Sequence, residues 1–168
     1  MKETNTGMSL AELLIIVSIV SVASSIALPA FFEFLQHNRL EALVDQLQRQ
    51  VALARETSVA NHHDIELCGT ADGAVCEKTW DRGWMIRSPL TGAVLSYYPI
   101  EGQQQLRWAG TSNAIRFQTN GTTKFGNGRF FICDHRGEVA WQLVLNRQGR
   151  AKRIRGLEKN QQVVKPCA

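Results

Sequence analysis

The chain has 168 residues, 44% of them hydrophobic and 20% charged, a balance that fits one folded domain and excludes wholesale disorder. Mean hydropathy is only −0.17, which excludes a polytopic membrane protein, and 13 Gly with 4 Pro in no G-x-y period exclude a collagen-like fibre. The net charge of +4 and pI of about 9.1 conceal two asymmetries: apolar residues crowd the start of the chain and positive charges crowd its end.

Residues 13–32 contain no charged side chain. As a helix they would span roughly 30 Å, the thickness of a bilayer core. Such a stretch needs a membrane, removal as a secretory signal, or burial by partner helices. A signal peptide fits poorly. The run exceeds the usual apolar region of about 7–15 residues. Cleavage after the small-x-small triplet Ser25-Ile26-Ala27 would leave Pro29 at the second mature position, and an acid, Glu12, stands where a signal carries a base. A plain stop-transfer anchor explains the length but not Glu12, because an acid beside hydrocarbon is costly and usually functional.

The segment Gly7-Met8-Ser9-Leu10-Ala11-Glu12-Leu13-Leu14-Ile15-Ile16-Val17 resembles the class III leader of type IV pilins and type II secretion pseudopilins. The resemblance implies that a prepilin peptidase cuts between Gly7 and Met8 and N-methylates Met8, which stands where Phe is usual. Glu12 becomes the fifth mature residue and Pro29 the twenty-second, where the family often has a helix-kinking proline. It further implies a leader at 1–7, a membrane-spanning and filament-core helix half at 8–32, and a periplasmic globular domain at 33–168. The protein would be a single-pass inner-membrane subunit that joins other major and minor pilins. Buried among neighbouring helices, Glu12 needs a cationic partner, and the family implies the N-terminal amine of the adjacent subunit.

Beyond Pro29, the residues Leu40, Leu43, Val44, Leu47, Val51 and Ala54 recur at three- and four-residue steps, with charged residues mostly on other faces. This predicts one helix over about 9–60, bent near Pro29, apolar all round at first and amphipathic afterwards. After Asn61 the period becomes two: Ile65 and Leu67, Leu106 and Trp108, Ile115 and Phe117, and Val139, Trp141, Leu143 and Leu145. Turn signals such as Asp72-Gly73, Asn120-Gly121 and Arg136-Gly137 separate the runs. The expected fold is α+β: a long N-terminal helix on one antiparallel sheet or two small ones, the pilin architecture. Ile65-Glu66-Leu67-Cys68, Trp80-x-x-Gly83-Trp84 and Leu143-Val144-Leu145-Asn146-Arg147-Gln148-Gly149-Arg150 are similar to the GspH/FimT/FimU branch of minor pilins.

None of the four cysteines forms a C-x-x-C pair, so zinc-ribbon and thioredoxin-like spacings are missing. In an oxidising compartment disulfides are expected. Of three possible pairings we favour Cys68–Cys76, closing a small loop between strands, and Cys133–Cys167, pinning the tail. The latter would stabilise by roughly 4 kcal/mol in the chain-entropy model. His37, His62, His63 and His135 read as solvated. Adjacent His62 and His63 would point to opposite faces of a strand, so they would not serve one metal with Cys68. Gly126-x-Gly128 lacks the third glycine of a dinucleotide site. No catalytic constellation, cofactor or metal site is expected, hence no enzyme. Trp80, Trp84, Trp108 and Trp141 can stack on bases, but at strand spacing Trp84 and Trp141 read as core.

Residues 147–165 hold seven cations, Arg147, Arg150, Lys152, Arg153, Arg155, Lys159 and Lys165, against the single acid Glu158. Charge alone fits a solvated, solubilising tail or a phosphate-binding patch. FimT-type pilins of natural transformation are similar in carrying a DNA-binding Gly-Arg-x-Arg motif near the C-terminus. Here Gly149-Arg150-Ala151-Lys152 matches at Arg150 and replaces the second arginine's planar fork with Lys152, with Arg153 and Arg155 following. The resemblance implies non-specific DNA binding through Arg147, Arg150, Lys152, Arg153 and Arg155. The alternative is a structural minor pilin, or a type II secretion pseudopilin, that starts filament assembly without DNA. On a regular strand, positions 150 and 152 face away from 153 and 155, so a turn or bulge at Gly149 would be needed to gather all four.

Overall fold

A computed structural model describes residues 9–102, 105–158, 161 and 166–167. Helix α1 (Leu10–Ala60) is followed by eight strands: β1 (Ile65–Gly69), β2 (Gly83–Arg87), β3 (Val94–Pro99), β4 (Gln105–Gly110), β5 (Ala114–Phe117), β6 (Gly128–Cys133), β7 (Val139–Leu145) and β8 (Ala151–Arg155). The strands form two antiparallel four-stranded sheets, ordered β3-β2-β1-β5 and β4-β6-β7-β8. The chain divides into two compact units, Met1–Asn38 and Arg39–Ala168.

In the first unit α1 starts at a reciprocal cap. Ser9 Oγ accepts the Glu12 N–H at 3.2 Å, and Glu12 Oε2 accepts the Ser9 N–H at 3.0 Å. This is a capping box, which satisfies two of the donors every helix start leaves open. The residues after it are apolar and exposed, including Leu10, Ile19, Val22 and Ile26. An 18-residue window reaches a mean hydropathy of 2.4 with none of it buried, long and apolar enough to cross a membrane. The hydroxyls in this stretch bond within the helix: Ser18 donates to the Leu14 carbonyl at 2.6 Å and Ser25 to that of Val22 at 2.7 Å. That is what a hydrocarbon solvent requires. Pro29 lies inside the helix, which continues through it.

In the second unit one stripe of α1, Leu40, Leu43, Val44, Leu47, Val51, Ala54 and Ser58, is buried. Its apolar members share a single core with Ile65, Leu67, Trp84, Ile86, Ile115 and Phe117 of the first sheet and Leu106, Phe130, Ile132, Leu143 and Leu145 of the second. Trp80, in the loop before β2, meets Phe130 of the second sheet edge-on at 4.8 Å, and within that sheet Trp108 lies 4.4 Å from its register partner Phe130.

Strand β1 departs from the half-wet alternation its sequence suggests, being buried at all five positions. The reason lies on its outer face. Glu66 is buried and accepts hydrogen bonds from Arg87 Nη2 at 2.8 Å and Arg116 Nη2 at 3.3 Å. Two residues on, Cys68 is joined to Cys76, with Cα atoms 5.6 Å apart, so the loop after β1 lies over the sheet. Within that loop the Ala74 N–H, with those of Val75 and the Thr70 hydroxyl, holds the Asp72 carboxyl below its ordinary pKa against the opposing pull of desolvation. On the second sheet, Cys133 is joined to Cys167, and Gln142 donates to the Gly156 carbonyl at 2.6 Å, so Gly156 and Cys167 lie against the outer face there.

The helix stripe is the common wall of this core. Truncating its fully buried Leu47 leaves a cavity in the core both sheets share, so Leu47→Ala should cost about 2–5 kcal/mol. Thermal unfolding followed by circular dichroism would register it as a large drop in midpoint, whereas truncation of exposed Leu53 should hardly move it.

Candidate nucleic-acid interface

The basic segment is the β7–β8 hairpin. Its turn, residues 146–149, closes with the Gly149 N–H donating to the Asn146 carbonyl at 3.0 Å, and the Asn146 N–H to that of Arg150 at 3.1 Å. The Asn146 Oδ1 accepts the Arg150 N–H at 3.0 Å. Gly149 sits at φ +71, the left-handed conformation that glycine adopts without steric cost.

This turn is braced from below. The Thr123 N–H donates to the Arg147 carbonyl at 2.8 Å. Arg55 Nε, near the end of α1, donates to the Gly121 carbonyl at 3.0 Å, and Ser58 Oγ to that of Gln118 at 3.0 Å. A side chain on Gly149 would run into the Gly121 carbonyl and the Arg55 side chain. Helix, loop and turn therefore form one packed unit that leaves Arg147 and Arg150 exposed. Among the described residues neither forms a salt bridge.

The register of β8 then divides the remaining cations. Arg153 lies opposite Leu143 and Arg155 opposite Trp141, on the face that looks into the core. Lys152 lies opposite Val144, on the other face. Arg153 and Arg155 come together over Trp141, their guanidinium carbons 5.1 and 5.9 Å from its ring centroid. Both are cation–π contacts. Arg153 also forms an ion pair with Asp45 of α1. The structure thus gathers Arg147 with Arg150 at the turn and Arg153 with Arg155 on the strand, and sets Lys152 apart.

Trp141 packs against the core but is only partly buried, and Arg153 and Arg155 of the edge strand β8 lie over its ring. Trp84, in contrast, is fully buried and stacks on Tyr98 at 4.7 Å. Glu158, the one acid of the basic segment, is bound by Arg129 at 2.6 Å. Lys159, Lys165, Gly7 and Met8 lie outside the described residues. Of the histidines, His62 follows the end of α1 at φ 53, and Cys68 is committed to its disulfide.

Sequence reasoning missed three participants: Asp45, the brace from Arg55 and Thr123, and the capping role of Glu12. The Ser9-x-x-Glu12 spacing carries the last of these. The first two are contacts between distant parts of the chain, which local periodicity does not encode.

A family model described as Type II transport protein GspH matches residues 43–149. The match ends at Gly149, so β8 lies beyond it. No curated protein matches the chain. Two crystal structures of the type IV minor pilin FimU from Pseudomonas aeruginosa (strain PAO1) are similar in fold, each at 20% identity. One, in space group P65, has a TM-score of 0.55 and covers 68% of this chain and 91% of its own. The other, in P21, has a TM-score of 0.53 and covers 80% of this chain and 99% of its own.

Gly149 offers a direct check on how the hairpin is held. Gly149→Ala should destabilise the protein by about 1–3 kcal/mol, from the left-handed backbone and the clash with Gly121. Denaturant unfolding measures it. The same substitution at Gly92, also at positive φ but with open space around it, should cost less.

Proposed function

The chain belongs to the GspH family, and from that premise we propose that it is a minor pilin of a type IV pilus whose β7–β8 hairpin grips DNA without sequence preference for uptake in natural transformation. The family and the pilin fold are structural, and the apolar first half of α1 suits a membrane-anchored pilus component. In this reading prepilin peptidase removes residues 1–7. The 8–32 segment spans the inner membrane and later enters the filament core among other pilins. The folded unit faces the periplasm.

The observation that carries the DNA reading is the braced turn presenting Arg147 and Arg150, with a second arginine pair on the strand beside it. A rigid backbone under flexible cations suits phosphate, which recurs along any duplex. Contacts of this kind position DNA and carry no sequence information. A filament subunit that meets arbitrary DNA needs nothing more.

A structural minor pilin or pseudopilin without DNA binding is the second reading. The family match favours it, since it stops before the four cations of 150–155.

Titration of fluorescent duplex into the full chain, in a neutral detergent and at several salt concentrations, separates the two. We expect a Kd of about 10⁻⁴–10⁻⁶ M at physiological salt, the same for unrelated sequences. Replacing Arg147 and Arg150 together with Gln should weaken binding and reduce the slope of log K against log salt by about two units. If the wild type does not bind even at low salt, or the double variant binds as well as the wild type, the structural reading takes its place.

A further inference from the structure

Arg153 already has an anion. Asp45 projects from the second turn of the buried half of α1 and meets its guanidinium across 108 residues of sequence. We propose that Asp45 is a built-in competitor for this arginine, a carboxylate latch that sets how strongly the β8 edge binds phosphate. The inference rests on the DNA reading above and concerns the regulation of that same surface.

Three features support it. Carboxylate and phosphate oxygens make the same charge-assisted hydrogen bonds to a guanidinium, so they compete for one set of donors. The pair is open to solvent, with Arg153 36% and Asp45 39% exposed, so a phosphate can reach it and the ion pair resists displacement only weakly. Finally, the Arg153 guanidinium also lies over Trp141, beside that of Arg155. That contact is made to the indole and not to Asp45. When the carboxylate is displaced, both guanidinium groups remain on the indole as a ready pair of phosphate donors at an outermost strand.

The latch therefore lowers phosphate affinity without hiding the site. It holds one of two neighbouring arginines neutralised until a polyanion, with many phosphates to offer, outcompetes a single carboxylate. A lone phosphate gains little by opening it, because it replaces one anion with another. A duplex gains contacts at Arg155 and at the turn as well.

A double-mutant cycle on the full chain in neutral detergent tests this, with fluorescent duplex as the probe. Asp45→Asn should tighten binding about two- to fivefold, the size of an exposed ion pair. In an Arg153→Gln background the same substitution should bring no such gain. Glu77→Gln removes an equal charge in the loop over the first sheet, where Glu77 accepts from Thr79, and should give a smaller gain than Asp45→Asn. Circular dichroism of each variant keeps the comparison among folded proteins. If Asp45→Asn and Glu77→Gln gain equally, or the gain survives without Arg153, the latch is overturned and the DNA reading stands. If no variant binds at about 50 mM salt, both fall.

Discussion

One stripe of α1 faces the inner sides of both sheets, and the rest of the fold depends on that burial. α1 is the only α-helix among the described residues. Without Leu40, Leu43, Val44, Leu47, Val51 and Ala54, the core side chains of both sheets would face water. Burying a large aliphatic side chain is worth about 1.5–3 kcal/mol, so the stripe collectively outweighs any polar contact in the molecule. The earlier part of the same helix is under the opposite condition. Its apolar side chains are exposed all round and its hydroxyls bond within the helix, so it needs an apolar environment.

The basic hairpin inherits its geometry from this arrangement. Near its end, α1 grips the loop after β5 through Arg55 and Ser58, and that loop holds the turn at Arg147. Earlier along α1, Asp45 reaches β8, while Gln50 accepts a hydrogen bond from Ser96 on β3, the outermost strand of the other sheet. The helix that closes the core thus also fixes both sheet edges and the presentation of the cations. A core substitution that shifted α1 would disturb the charged surface without touching a charge.

The architecture was largely legible in the sequence because the helix stripe repeats at three and four residues and Val139, Trp141, Leu143 and Leu145 of β7 recur at every second position. Strands covered on both faces were harder to read. β1 and β6 lack a wet side, so their patterns, with buried Glu66 in one and continuous Phe130-Phe131-Ile132-Cys133 in the other, do not alternate cleanly. The basic residues were visible as a run of charge, but their grouping was not. Register places Arg153 and Arg155 on one face and Lys152 on the other, and register is settled by the turn at Gly149 and by β7. Trp141 is only partly buried for a related reason: it packs against the core, but arginines of the edge strand β8 share the cover of its ring. Asp45 could not have been singled out, since nothing local marks the one acid of α1 that meets β8.

In the proposed function α1 begins as a pilin helix, with Ser9 and Glu12 at a processed N-terminus rather than inside a longer polar leader. The capping box is compatible with cleavage, since both of its residues lie after the Gly7–Met8 bond. Intact-mass analysis of the protein extracted from membranes of cells that express a prepilin peptidase tests this most directly. The account predicts a chain that starts at Met8 and carries one added methyl group. Retention of Met1, or a chain that starts after Ala27, would contradict it.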